Sequence, residues 1–192
     1  MLVWMGIFTV HAEGLEVRKT EARFTEGYYQ LAADFDISLN FVVAQALSQG
    51  VPLYFISEFT LTRPRWYWLD EEIARSQQLI KLSYNTLTRQ YRITLGSLFQ
   101  NFDNLDDALR IIGHQSAAPI PIALLKAESN YITTKLLRND NNLIAATRMR
   151  LDATQLPKPL QVNALTGNDW NLDSDWYRWI VRVDKGAHRK GE

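Results

Sequence analysis

The amino-acid sequence predicts a mainly β protein: an antiparallel β-sandwich or open barrel with two short helices. Three observations carry that reading. Apolar and polar residues alternate with period two over Tyr28–Leu39 and again over Trp176–Val183, the mark of a strand with one buried and one wet face. Turn chemistry separates the extended stretches, as at Asn85–Arg89 and Asn139–Asn142. Clear helix start and stop signals are confined to two short segments, each followed by a glycine.

Taken in order, Leu15–Phe24 is mixed and extended. In Tyr28–Leu39 the residues Leu31, Ala33, Phe35, Ile37 and Leu39 form one face against Ala32, Asp34, Asp36 and Ser38. Asn40–Gln49 is the first helix, with Asn40 or Ser38 as N-cap and Gly50 as its stop. Val51–Leu61 is β-branched and aromatic, hence a strand, and Trp66–Trp68 is its continuation past Arg63-Pro64-Arg65. Leu79–Tyr84 and Gln90–Leu95 are two further strands. Asp103 caps the second helix, Asn104–Ile112, which Gly113 stops. Residues 114–125 hold two prolines and read as a connector. Tyr131–Leu137 and Leu143–Asp152 flank the Asn/Asp cluster as a hairpin, with a helix over Leu124–Leu137 as the competing assignment. Leu156–Leu160 is extended, since each proline fixes its own φ and biases its predecessor away from helix. Trp176–Val183 is the last strand.

At 192 residues, with 46% apolar and 22% charged residues and no composition break, the chain reads as one domain that buries a core without staples. Lys+Arg and Asp+Glu both number 21, so the net charge is zero, which removes the electrostatic footprint of a nucleic-acid binder. The absence of cysteine excludes disulfides, thiolate metal sites and cysteine nucleophiles.

Leu2–Val10 is an uncharged run, and Val10-His11-Ala12 places small residues for cleavage before Glu13. The run is shorter than the roughly 20 residues that span a bilayer. No Lys or Arg precedes it. The expectation is a signal-peptide-like segment over residues 1–12, one β-rich domain over 13–185 and a flexible tail over 186–192. The product is then periplasmic and not membrane-spanning once the signal is removed.

Of three histidines, His11 lies in the signal and His188 in the tail, so only His114 serves the domain, and it reads as an exposed side chain favoured by a helix C-terminus. Three His/Cys ligands for zinc are lacking. Asp70-Glu71-Glu72 reads as a solvated turn, and Asp103, Asp106 and Asp107 favour the dipole at a helix start. In Asp169–Asp175 oxygen ligands recur at alternate positions as in calcium loops, but Ser174 replaces the turn glycine and Ile180 the closing glutamate. An extended segment with Trp170, Leu172 and Trp176 on its apolar face is the better reading. No GxGxxG, Walker, GxSxG or HExxH motif occurs.

Six tryptophans are more telling: beyond Trp4 they fall at Trp66 and Trp68, then at Trp170, Trp176 and Trp179. Two readings stand, a cross-strand aromatic ladder and an anion- or sugar-binding platform on which Arg63 or Arg65 stacks. Both expect the two segments to be neighbours.

Three ordered motifs, Gly50-Val51-Pro52-Leu53-Tyr54-Phe55, Arg63-Pro64-Arg65-Trp66-Tyr67-Trp68 and Leu82 to Arg92, are followed by Arg150-Leu151-Asp152, Leu156-Pro157-Lys158-Pro159-Leu160-Gln161 and Trp170 to Trp176. In this order they resemble a proteobacterial domain-of-unknown-function family, number 4390 of that series. The resemblance implies an exported protein, often encoded beside a nitrogen-regulation-type sensor kinase, and transfers no catalytic residue.

The functional expectation is an exported, non-enzymatic binding or interaction module of the cell envelope. Its partner is a sensor kinase's outer domain, another envelope protein, a lipid or a glycan, and not nucleic acid. Candidate binding residues are Arg63, Arg65, Trp66, Tyr67, Trp68, Trp170 and Trp176; no catalytic residue, metal or cofactor is expected. The alternative is a carboxylate-based hydrolase acting on envelope glycan, which needs two of the acids above to converge in one pocket.

Overall fold

The computed structural model describes residues 14–25, 27–64, 70–126 and 142–182 of the chain. The segment 1–12, the residues Arg65 to Trp68, the first arm of the expected hairpin and the tail 186–192 lie outside them. Alternation turns into packing most plainly in β2 (Tyr28–Ser38), where Leu31, Ala33, Phe35 and Ile37 are buried and their neighbours are not. β1 (Gly14–Thr25) pairs antiparallel along its whole length, with a bulge between Val17 and Lys19. The other edge of β2 is shared by two short strands, β7 (His114–Ser116) and β8 (Ile120–Pro121).

The second sheet has six antiparallel strands in the order β10-β9-β3-β4-β5-β6. They are β3 (Leu53–Arg63), β4 (Glu71–Asn85), β5 (Gln90–Leu95), β6 (Leu98–Phe102), β9 (Asn142–Leu151) and β10 (Tyr177–Arg182). Inner-face residues of both sheets, among them Leu31, Phe35, Phe55, Phe59, Leu82 and Met149, form one hydrophobic cluster. The two sheets therefore make a sandwich and not a closed barrel. Leu53, Phe55 and Leu82 are fully buried, each stabilising the fold by about 1.5–3 kcal/mol relative to exposure.

Helix α1 (Phe41–Ser48) begins at Asn40, whose Oδ1 accepts from the Val43 N–H at 2.9 Å, and ends before Gly50 at φ +91°. Helix α2 (Leu105–Gly113) packs against β2, β5 and β6 and closes one end of the sandwich. Its glycine is a matter of space: a Cβ on Gly113 would lie 2.3 Å from the Phe35 carbonyl oxygen.

Several expectations need correction. The N-cap of α2 is Asn104, one residue later than expected, and Asp103 instead accepts from Gln90. β4 starts at Glu71, so Glu71 and Glu72 stand in a strand and not a turn; each has an arginine partner, Arg63 and Arg75. β6 was not expected at all. The 114–125 connector contains β7, β8 and the start of α3 (Ile122–Lys126). Beyond a 3₁₀ turn at Ala153–Gln155, α4 (Lys158–Thr166) replaces the extended stretch, because Pro159 falls in the first turn where its missing N–H costs nothing. The second arm of the expected hairpin is β9, whose two edges are taken by β3 and β10.

Candidate functional site

The outward side of the six-stranded sheet is built from strands distant in sequence that register brings together. One row runs Tyr54, Lys81, Thr94, Phe99. Another joins Gln77, Glu58 and Arg148, and a third Thr60, Ala146 and Arg178. Because side chains alternate along each strand, Arg75, Arg92, Arg150 and Arg182 belong to this face too. Its acids are Glu58 and Glu72, joined by Asp173 from the segment that crosses the edge of β9. Positive charge is in excess.

Three aromatic rings on this face each carry a cation. The Arg92 guanidinium is 4.9 Å from the Phe99 ring centre, the Lys81 ammonium 5.7 Å from Tyr54, and the Arg148 guanidinium 6.0 Å from Trp176. Such pairs contribute about 0.5–1 kcal/mol each when exposed, and they hold long side chains in one place. Arg92 also donates from Nε to Asn101 Oδ1 at 2.9 Å. Arg148 donates to both oxygens of Asp173, from Nε at 2.8 Å and from Nη2. Burial pushes the Asp173 carboxyl up, but Arg148 and the Asp175 backbone N–H outweigh it and hold it below the usual carboxylate range. Arg150 donates to Glu58 at 3.2 Å.

Beside Lys81 lies an open depression of about 540 Å³, lined by Gln78, Leu79, Lys81, Thr94, Leu95 and Gly96. Leu79, Leu95, Leu98, Phe99 and Ile180 are exposed apolar side chains. Between the sheets, a cleft lined by Leu31, Phe59, Ala74, Ala117, Ile120 and Leu124 among others holds about 120 Å³. Pockets for drug-sized ligands run to roughly 300–1,000 Å³.

The family model described as "Domain of unknown function (DUF4390)" matches residues 12–180. The chain belongs to this family. No curated protein and no solved structure gives a significant match.

Within this DUF4390 domain the expected site residues part company. Trp170 is 4% exposed and belongs to the core beside Leu172, so its ring is not a platform. Trp176 is half-buried on the outer face under Arg148. The two were expected on one side of an extended segment; Asp175, at φ +56°, breaks the alternation between them. Arg63 ties three elements together, donating to Glu71 Oε2 at 2.8 Å and to the Leu125 carbonyl at 2.7 Å. Leu172 sits beside Leu151, which pairs with Phe55 near the start of β3, whereas Arg63 ends that strand. At about 3.3 Å per residue, roughly 26 Å separates the two levels, so Trp170 and Arg63 do not share a site. Arg65, Trp66, Tyr67 and Trp68 lie outside the described residues.

The acidic clusters also separate. Glu71 and Glu72 open β4, while Asp103 is held by Gln90 beside Asn85 at its other end, about 43 Å away by strand rise. Asp107 is engaged by Asn104 and Arg110. His114 is an exposed side chain on the small sheet, with Nδ1 2.6 Å from Asp34 Oδ1. Sequence reasoning missed Lys81, Arg92, Arg148 and Arg178 as a group; only strand register collects them. Among the described residues no helix is long and apolar enough to cross a membrane.

Proposed function

We propose that this DUF4390 domain is an exported, non-enzymatic interaction module of the bacterial cell envelope, and that the outer face of its six-stranded sheet docks an acidic protein surface. The observation that carries the reading is the composition of that face. Arginine far outnumbers lysine on it, three of its cations lie over aromatic rings, and the cations exceed the acids. Arginine and aromatic residues are what protein interfaces enrich, and lysine is what they deplete.

Two further facts support it. The cleft of about 120 Å³ between the sheets is too small for a lipid or an oligosaccharide, and the depression of about 540 Å³ beside Lys81 is open to solvent, which favours a surface partner over an enclosed, carried ligand. The family match starts at residue 12, where the expected signal ends, in keeping with export to the periplasm. The family resemblance implies a gene often encoded beside a sensor kinase, and the outer domain of such a kinase is one candidate for the partner, beside another envelope protein. A carboxylate-based hydrolase would need two acids across one pocket, and the separation of the acidic clusters along β4 favours binding instead.

The test is charge reversal. Arg178→Glu with Arg182→Glu should abolish recovery of the envelope partner that the wild-type domain retains, while the melting temperature stays within a few degrees. Equal recovery by the reversed and wild-type domains would remove the outer face from the account.

A further inference from the structure

Among the described residues each sheet has open edges, and they are not alike. β1 carries Arg18, Lys19, Glu21 and Arg23 and a bulge, and β10 carries Arg178 and Arg182. Charges and bulges are how edge strands resist pairing with other chains. β6, Leu-Phe-Gln-Asn-Phe, has neither a charge nor a proline, and Leu98 and Phe99 are 72% and 66% exposed.

The β5–β6 hairpin closes through the two residues Gly96 and Ser97, with Gly96 at φ +58° and Leu95 opposite Leu98. In such a hairpin the closing pair exchanges both backbone hydrogen bonds, and bonded pairs then alternate. Leu98, Gln100 and Phe102 therefore turn their N–H and C=O groups toward β5. Phe99 and Asn101 turn theirs to the open side. Among the described residues no strand pairs with that side. The Arg92 guanidinium, lying over the Phe99 ring and bonded to Asn101, reaches from β5 across β6 toward the same edge.

We infer that β6 receives an extended segment of the partner as an added strand, and that an Asp or Glu on that segment pairs with Arg92. The inference rests on the acidic partner proposed above and names how it docks. Backbone groups of Phe99 and Asn101 supply the pairing, and Phe99 and Leu98 supply apolar contact on the two sides. Arg92 supplies the charge complementarity that selects an acidic strand over a basic one.

The test selects short randomised peptides, displayed on phage, against the full chain. Enriched peptides should alternate β-branched residues with Asp or Glu. Their affinity should fall about tenfold or more in Asn101→Pro, which removes an N–H facing the open edge while sparing the hairpin's own bonds. Phe99→Lys, which installs the charge the other edges carry, should do the same, whereas Asn101→Ala should keep most of the affinity. Absence of enrichment, enrichment of peptides without acids, or equal binding by Asn101→Pro and wild type would overturn the inference. So would a dimer of the chain that Asn101→Pro dissolves, since a second copy would then be the occupant. Arg18→Ala, on the four-stranded sheet, should leave peptide binding unchanged. Loss of partner recovery in Arg178→Glu with Arg182→Glu, together with unimpaired peptide binding by Asn101→Pro, would sink the added strand alone; persistence of recovery in that double variant, with peptide binding lost in Asn101→Pro, would sink the charged-face reading alone.

Discussion

The outer faces of the two sheets both carry charged strands and behave differently. On the four-stranded sheet the cations find acids, Arg18 with Asp36 and Lys19 and Arg23 with Glu21, and His114 Nδ1 lies 2.6 Å from Asp34. On the six-stranded sheet Arg148 and Arg150 have acids, but Lys81, Arg92, Arg178 and Arg182 have no carboxylate partner among the described residues, and two of them lie over rings instead. A chain of zero net charge thus carries one face whose cations are all paired and one with cations in excess. Net charge speaks for solubility and long-range attraction; it does not say where on the fold the excess sits.

The largest effects should come from what the two faces share. Phe55→Ala should cost about 3–5 kcal/mol, because the ring is fully buried in the cluster between the sheets. Both faces should be lost in a single unfolding transition, and a second transition in urea would show the sheets to be separate units. Trp170→Ala should be nearly as damaging, since the indole is core and not platform. A stable Trp170→Ala protein that had lost only partner binding would restore the platform reading.

Arg148 and Asp173 should come next. Both are partly buried, so Asp173→Asn should cost on the order of 2 kcal/mol at neutral pH. The folded pKa of Asp173 is depressed below its ordinary value. Its contribution is therefore complete above the unfolded pKa of about 3.9 and fades as pH falls through the lower folded value. Urea unfolding of wild type and Asp173→Asn should differ at pH 7 and converge in strong acid. A gap that persisted unchanged in acid would mean the pair is not what Asp173 contributes.

The smallest effect belongs to the outer face of the four-stranded sheet. Arg18→Ala removes an ion pair between exposed side chains, and such pairs contribute little. It should leave both the denaturation midpoint and partner recovery where they are. Loss of recovery in Arg18→Ala would put the interface on the other sheet.

Legibility in the sequence followed burial. β2 was readable because one face is core and the other is water, and Asn40 because a cap needs one particular side chain at one place. The first half of β4 was not, because no residue from Glu71 to Gln78 is fully buried and the stretch shows no apolar period. β6 was hidden for the same reason: four of its five residues are exposed. α4 was masked by Pro159, whose effect depends on whether it falls in the first turn or later. The tryptophan spacing in residues 170–176 could not tell the buried Trp170 from the half-buried Trp176. The positive face was invisible because Lys81, Arg92, Arg148 and Arg178 lie on four strands, and no local pattern joins them.

Site-specific photo-crosslinking in living cells tests the central claim most directly. A photoreactive residue at Thr94, on the outer face of the six-stranded sheet, is compared with one at Ser116 on the four-stranded sheet. The account predicts one discrete protein adduct from position 94, lost on Arg92→Glu, and none from position 116. An adduct from position 116 with none from 94 would contradict it.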